Sequence, residues 1–223
     1  MIKYAINTSV HNQRLLDSAL KVQKFLERFC IESTIAGGLP RDIHYGVDAK
    51  DADICVYNFH PYDSAERVLF LKMLNELDDP FLGKFGSVTT FLEDEFLSQE
   101  HADSGASSAE EDDHQVWGVI KLSDVNVDII FYEDIITQSG TRNLRSGERI
   151  TDAVDIVDQF DANINQFVIE DLESGVQFYG HSDLHPDKVG LKFLRETTSE
   201  SRKEKMRSKW LNQILTIDKH IGF

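Results

Sequence analysis

Three acidic residues could do chemistry together in this chain. Asp51 and Asp53 stand two apart in Lys-Asp-Ala-Asp-Ile-Cys, and Asp128 sits far downstream in Val-Asn-Val-Asp-Ile-Ile-Phe. In an extended strand, residues i and i+2 point to one side. Asp51 and Asp53 would then face together with Cα atoms about 6.6 Å apart, while Ala52, Ile54 and Val56 turn to a core. The same alternation sends Val127, Ile129 and Phe131 inward and Asp128 outward. Three carboxylates on neighbouring strands make a hard oxygen site, suited to Mg²⁺ rather than zinc.

An acidic pair at this spacing is common in a chain with 39 acidic residues; Glu93/Glu95, Glu110/Asp112 and Glu111/Asp113 have it too. Gly37-Gly38, just upstream and between a predicted strand and helix, is either a plain strand-to-helix turn or a place where the backbone approaches a phosphate, and it raises the standing of the pair. Glycines let the backbone approach a bulky anion closely. Arg41 and Lys50 lie in the same stretch and could offset its charge.

The elements that would position these residues are legible from periodicity. Leu15, Ala19, Val22, Leu26 and Phe29 predict a helix over 12–30 with one buried stripe. Residues 33–36 and 51–57 read as strands, with a short helix starting in 42–46. A capping-box spacing at Asp63 and Glu66 opens a helix over 63–77. Residues 86–92, 116–122 and 125–132 read as strands rich in Val, Thr and Ile. Residues 165–170 and 176–179 flank a glycine-containing hairpin turn. Pro186 suits the first turn of a helix. A last helix would run from about residue 201, with Met206, Trp210, Ile214, Ile217 and Ile221 on one face. The order predicts an α+β fold with a mixed β-sheet flanked by helices.

The formal net charge of -16 opposes nonspecific coating of DNA. Much of it comes from residues 93–114, with nine acidic residues and no Lys or Arg, which read as a solvated, disordered insertion. Cys30 and Cys55 form no framework and fit a reducing interior. With no apolar leader and no run near the roughly 18 residues of a membrane helix, the expectation is a soluble, cytoplasmic protein.

The stretch Gly-Gly-Leu-Pro-Arg-Asp-Ile-His-Tyr-Gly-Val-Asp-Ala-Lys-Asp-Ala-Asp resembles the signature of the DNA polymerase β-like nucleotidyltransferases. More narrowly, it is similar to the head of class II CCA-adding tRNA nucleotidyltransferases and bacterial poly(A) polymerases. Gly37, Gly38, Arg41, Asp42, Gly46, Asp51 and Asp53 fall in register, with Pro40 in place of the usual Val. The strands ending at Asp128 resemble those that bring the family's third carboxylate. Asp161, Ile164 and Asn165 match its Asp-Phe-Thr-Ile-Asn stretch, whereas Ala162 and Asn163 depart from it. Gln159-Phe160 stand where the family has Arg-Arg.

The resemblance runs from about residue 31 to 194. It includes neither the family's base-selecting Glu-Asp-x-x-Arg element nor its long tRNA-gripping body. It implies a head domain over 1–185 and a helical neck over 186–223. It further implies two Mg²⁺ ions held by Asp51, Asp53 and Asp128, and an NTP cradled by Gly37 and Gly38. Arg41, Lys50, Asp161 and Asn165 would lie on the nucleotide side. The acceptor it implies is an RNA 3′ end, a tRNA above all. A protein or small-molecule hydroxyl is the alternative, as is a head that only binds nucleotide or a partner. Similar small heads occur in bacteriophages and toxin systems.

Two other segments carry chemistry-bearing residues. His181, Asp183 and His185 could hold a metal or cap a helix. The basic run 199–209 could contact RNA phosphates or form the wet face of a helix.

Overall fold

A computed structural model describes residues 3–4, 8–59, 88–92, 116–133, 149–195 and 198–221. The helix expected over 63–77 and the acidic segment 93–114 lie outside the described residues. The described chain runs β1 (Lys3–Tyr4), α1 (Val10–Glu27), β2 (Glu32–Ala36), α2 (Gly38–His44), β3 (Ala52–Tyr57), β4 (Val88–Leu92), β5 (Val116–Leu122) and β6 (Val127–Tyr132). It continues through α3 (Ala153–Asp158), β7 (Phe167–Ile169), β8 (Val176–Phe178), α4 (Pro186–Val189) and α5 (Glu200–Ile221). The fold is α+β, as expected from the element order.

The strands form one mixed sheet in the order β1-β8-β7-β2-β3-β6-β5-β4. Only β3 and β6 run parallel; the other neighbours are antiparallel. Alternation along the central strands divides the core. Ala52, Ile54 and Val56 of β3 and Val127, Ile129 and Phe131 of β6 join Leu15, Leu16, Ala19, Val22 and Leu26 of α1 on one face. Cys55, Ala36 and Val168 pack on the other face against Ala153, Ile156 and Val157 of α3.

Several boundaries differ from the expectation, each for a local reason. Phe29 is 48% exposed, because α1 ends at Glu27 and the chain turns through Cys30 at φ 57. Helix α2 starts four residues earlier than expected. Gly37 adopts φ 81, ψ -115, a conformation open to glycine and strained for other residues, so the chain reverses at once and Gly38 is already helical. Pro40 is tolerated because first-turn N–H groups have no acceptor within the helix. Strand β6 starts at Val127, since residues 123–126 close a tight turn with Asn126 at φ 52. Asn165 belongs to a 3-10 turn, so β7 begins two residues later than expected.

Helix α5 docks through Met206, which is fully buried with Ala162 and Ile164 and touches Leu191, Phe193 and Trp210. Truncating it leaves a cavity that these neighbours fill only in part. Met206→Ala is expected to destabilise the fold by about 2–5 kcal/mol in urea denaturation. A loss under about 0.5 kcal/mol would show that α5 does not depend on this contact.

Candidate active site

The backbone register builds the site. Asp53 of β3 lies directly beside Asp128 of the parallel β6. In the same row, Ala36 of β2 pairs with Asp53 and Lys121 of β5 pairs with Asp128. Register partners share a face, and adjacent strands lie about 4.8 Å apart. Asp53, Asp128 and Lys121 therefore project side by side. Gly37 follows Ala36 directly, so the glycine turn stands at the same end of the sheet. A Cβ built on Gly37 would lie 3.7 Å from Asp53 Oδ2, and one on Gly38 4.0 Å from the same oxygen and 3.8 Å from Arg41 Nη2.

Asp51 is set by the loop before β3, and that loop is clamped from α1. The buried Asn12 side chain donates to Val47 O at 2.7 Å and accepts from Ala49 N at 2.8 Å. His11 Nε2 reaches Ala49 O at 2.8 Å.

The three carboxylates oppose one another. Burial first, then the charges of Asp51 and Asp128, push the Asp53 carboxyl up to about 7, against the pull of Lys209 and Arg41. Burial also raises Asp128, and Asp51 adds to this. Lys121, by charge and hydrogen bond, and Lys50, by charge, pull it down. Lys121 Nζ stands 3.3 Å from Asp128 Oδ2.

Asp53 and Asp128 are register partners on one face, Asp51 reaches both by charge, and repulsion among carboxylates is what a hard divalent cation would relieve. Among the described residues, no three His, Cys, Asp or Glu side chains are yet gathered tightly enough to grip an ion. With its ammonium against Asp128, Lys121 supplies part of the positive charge that the cluster demands. Asp51, Asp53 and Asp128 would hold the metal once Asp128 exchanged this partner for it.

A second layer braces the glycine turn. Arg41, 2% exposed, donates Nε and Nη2 to Asp42 at 2.8 and 3.1 Å, and Nη1 to Asn165 Oδ1 at 2.8 Å. Asn165 Nδ2 donates to Asp161 Oδ1 at 3.0 Å. Arg202 Nε of α5 donates to Asp161 Oδ2 at 2.6 Å, and Gln213 of α5 donates to Asp42 Oδ1 at 3.1 Å. Burial alone would raise the Asp161 carboxyl; the Arg202 charge and the bonds from Arg202 and Asn165 outweigh it and hold it low. Arg41, Asp161 and Asn165, expected on the nucleotide side, are thus joined in one buried network beside Gly38. Lys50 is exposed, within electrostatic reach of Asp128.

Lys121 and Gln213 carry no site assignment in the sequence, whereas Arg202 and Lys209 fall in the basic run 199–209 expected to contact RNA phosphates or form a wet helix face. Alternation in β5 could have found Lys121, and the four-three-four spacing of Arg202, Met206, Lys209 and Gln213 could have found a helix face. Gln159 is 3% exposed and accepts from Arg195 Nη2 at 3.0 Å, while Phe160 packs on Tyr132. The histidine segment caps short helices: His181 Nδ1 accepts from Asp183 N at 3.3 Å and His185 Nδ1 from Asp187 N at 3.2 Å.

No protein-family model and no curated protein matches this chain.

Because its carboxyl is raised in the folded state, Asp53 binds a proton there that the unfolded chain releases near pH 4. Its contribution to stability therefore falls as pH rises from about 4 to about 7 and stays low above that. Asp53→Asn removes this penalty. In chelator, the variant should be more stable than the wild type by on the order of 2–4 kcal/mol at pH 8, with a smaller gain at pH 5.5. Thermal and urea melts at the two pH values check this. A loss of stability at pH 8 would show that the neighbouring carboxylates do not strain Asp53.

Proposed function

We propose that this protein is a Mg²⁺-dependent nucleotidyltransferase, moving an NMP group from an NTP to a hydroxyl acceptor with release of pyrophosphate. The observation that carries the reading is the lateral pairing of Asp53 with Asp128 across parallel strands, beside a turn in which Gly37 and Gly38 present no side chain. Carboxylates crowded into a part-buried site are destabilised, and such destabilisation clusters where ions and reacting groups are handled.

Magnesium, held by Asp51, Asp53 and Asp128, would neutralise the triphosphate and stabilise the charge that develops on the transferring phosphoryl group. The chain's own residues set the geometry. Gly37 and Gly38 admit the phosphates to the backbone, and Arg41 stands behind them with a fixed positive charge. The acceptor hydroxyl oxygen bonds to the α-phosphorus as the bond from that phosphorus to the bridging oxygen breaks. The hydroxyl proton passes to the Asp128 carboxylate, which burial has made more basic than an exposed one. Lys121, which gives up Asp128 to the metal, stays beside it on β5 as a positive charge.

The acceptor proposed first is an RNA 3′ end, a tRNA in particular. A protein or small-molecule hydroxyl is the second reading, and one observation favours it. Much of the basic run on α5 is engaged at home: Arg202 with Asp161, Lys203 with Glu200, and Arg207 with Glu200 and Glu204. This leaves less charge facing outward for RNA phosphates. Among the described residues no helix is long and apolar enough to cross a membrane. Both cysteines are free, which supports the cytoplasm as the working compartment.

The test is transfer of label from each α-labelled NTP with Mg²⁺, in the presence of total tRNA or cell lysate. Label should enter RNA under the first reading and protein under the second. Asp53→Asn and Asp128→Asn should each lower transfer by about a hundredfold or more, and chelation should abolish it in the wild type. Transfer that survives either substitution would end the proposal.

A further inference from the structure

We propose that Lys209 of α5 is a direct ligand of the polyphosphate bound at the Gly37-Gly38 turn, an inference that rests on the nucleotidyl-transfer reading above. Arg202, Met206, Lys209 and Gln213 are spaced four, three and four apart, so they share one face of α5. Both ends of that stripe are tied to the buried network. Arg202 donates to Asp161 at 2.6 Å, and Gln213 donates to Asp42 at 3.1 Å. Met206 is fully buried, with Sδ 3.5 Å from Asn165 Nδ2. Between these anchors on the same face stands Lys209, within electrostatic reach of Arg41, whose Nη2 borders Gly38.

The charges at this place do not balance internally. Arg41 is matched by Asp42 and Arg202 by Asp161. Among the described residues, Lys209 has no carboxylate at ion-pair distance. Burial, then Arg41 and Arg202, hold its ammonium down to about 8, and its charge reaches Asp53. Asp42 and Asp53 offset the burial of Lys209 and its repulsion by Arg41 and Arg202 only in part. The remainder is relieved when an anion arrives between Lys209, Arg41 and the glycine turn. Lysine suits this role, because a point charge on a flexible stem can follow a phosphate whose position changes during transfer. Helix α5 is then the element that closes the phosphate site opposite the carboxylates.

The test is calorimetric titration of the full chain with inorganic triphosphate and with an NTP, both with Mg²⁺, on wild type, Lys209→Met and Lys209→Arg. Thermal melts of the free proteins accompany it. Lys209→Met, which keeps the apolar stem, should weaken triphosphate binding about tenfold or more, with an unchanged or higher Tm. Lys209→Arg should retain binding within a few-fold. Equal binding by wild type and Lys209→Met overturns the inference and leaves the nucleotidyl-transfer reading standing. Weaker binding together with a lower Tm assigns Lys209 to the fold and also overturns it. A wild type that binds neither triphosphate nor NTP overturns both.

Discussion

The lateral match of Asp53 and Asp128 is the constraint around which the site is arranged. Parallel pairing of β3 and β6 fixes it, since every register partner along the two strands moves together. A slip of β6 by one residue would turn Asp128 into the core and Ile129 out of it. The hydrophobic face of the sheet therefore enforces the polar one. Packing of Ala52, Ile54, Val56, Val127, Ile129 and Phe131 against α1 holds like charges close together, at a cost that the core bears.

That cost is opposed at several points by cations from different elements. Lys121 comes from the antiparallel neighbour β5, Lys50 from the loop before β3, Arg41 from α2 and Lys209 from α5. Only α2 and the loop before β3 adjoin in sequence. The charge balance of the cluster is thus a property of the assembled sheet and its flanking helices. It also explains a division of labour among the arginines. Arg41 and Arg202 each have a buried carboxylate partner and act as braces, whereas Lys50 is exposed and Lys121 and Lys209 are part-buried.

The polar network from Asp42 through Arg41, Asn165 and Asp161 to Arg202 links the glycine turn to the C-terminal helix. A buried network of this kind is favourable only when its members are satisfied, and it fixes one mutual arrangement of the groups it joins. Gln213 closes it on the other side of Lys209 by bonding Asp42. The position of α5 over the turn is consequently set by directional bonds as well as by burial of Met206.

Periodicity made the regular elements legible from the chain alone. Alternation in 51–57 and 125–132 sufficed to place Asp53 and Asp128 on the strand faces opposite the Ile54 and Ile129 core, because side-chain direction in a strand depends only on parity. Helical spacing in 12–30 found α1, and the Gly37-Gly38 pair found a turn. Parity does not say which strands are neighbours. Assembly of the sheet set β3 between β2 and β6 and brought Lys209 of α5 within electrostatic reach of Arg41, placements that depend on residues tens to more than a hundred positions apart. Lys121 stands beside Asp128 across a turn of seven positions, yet which strand β6 meets on its other side is set by packing of the whole sheet. The early start of α2 belongs with them, because Gly37 can reverse the chain there only once its N–H is fixed to Phe167 O across the sheet.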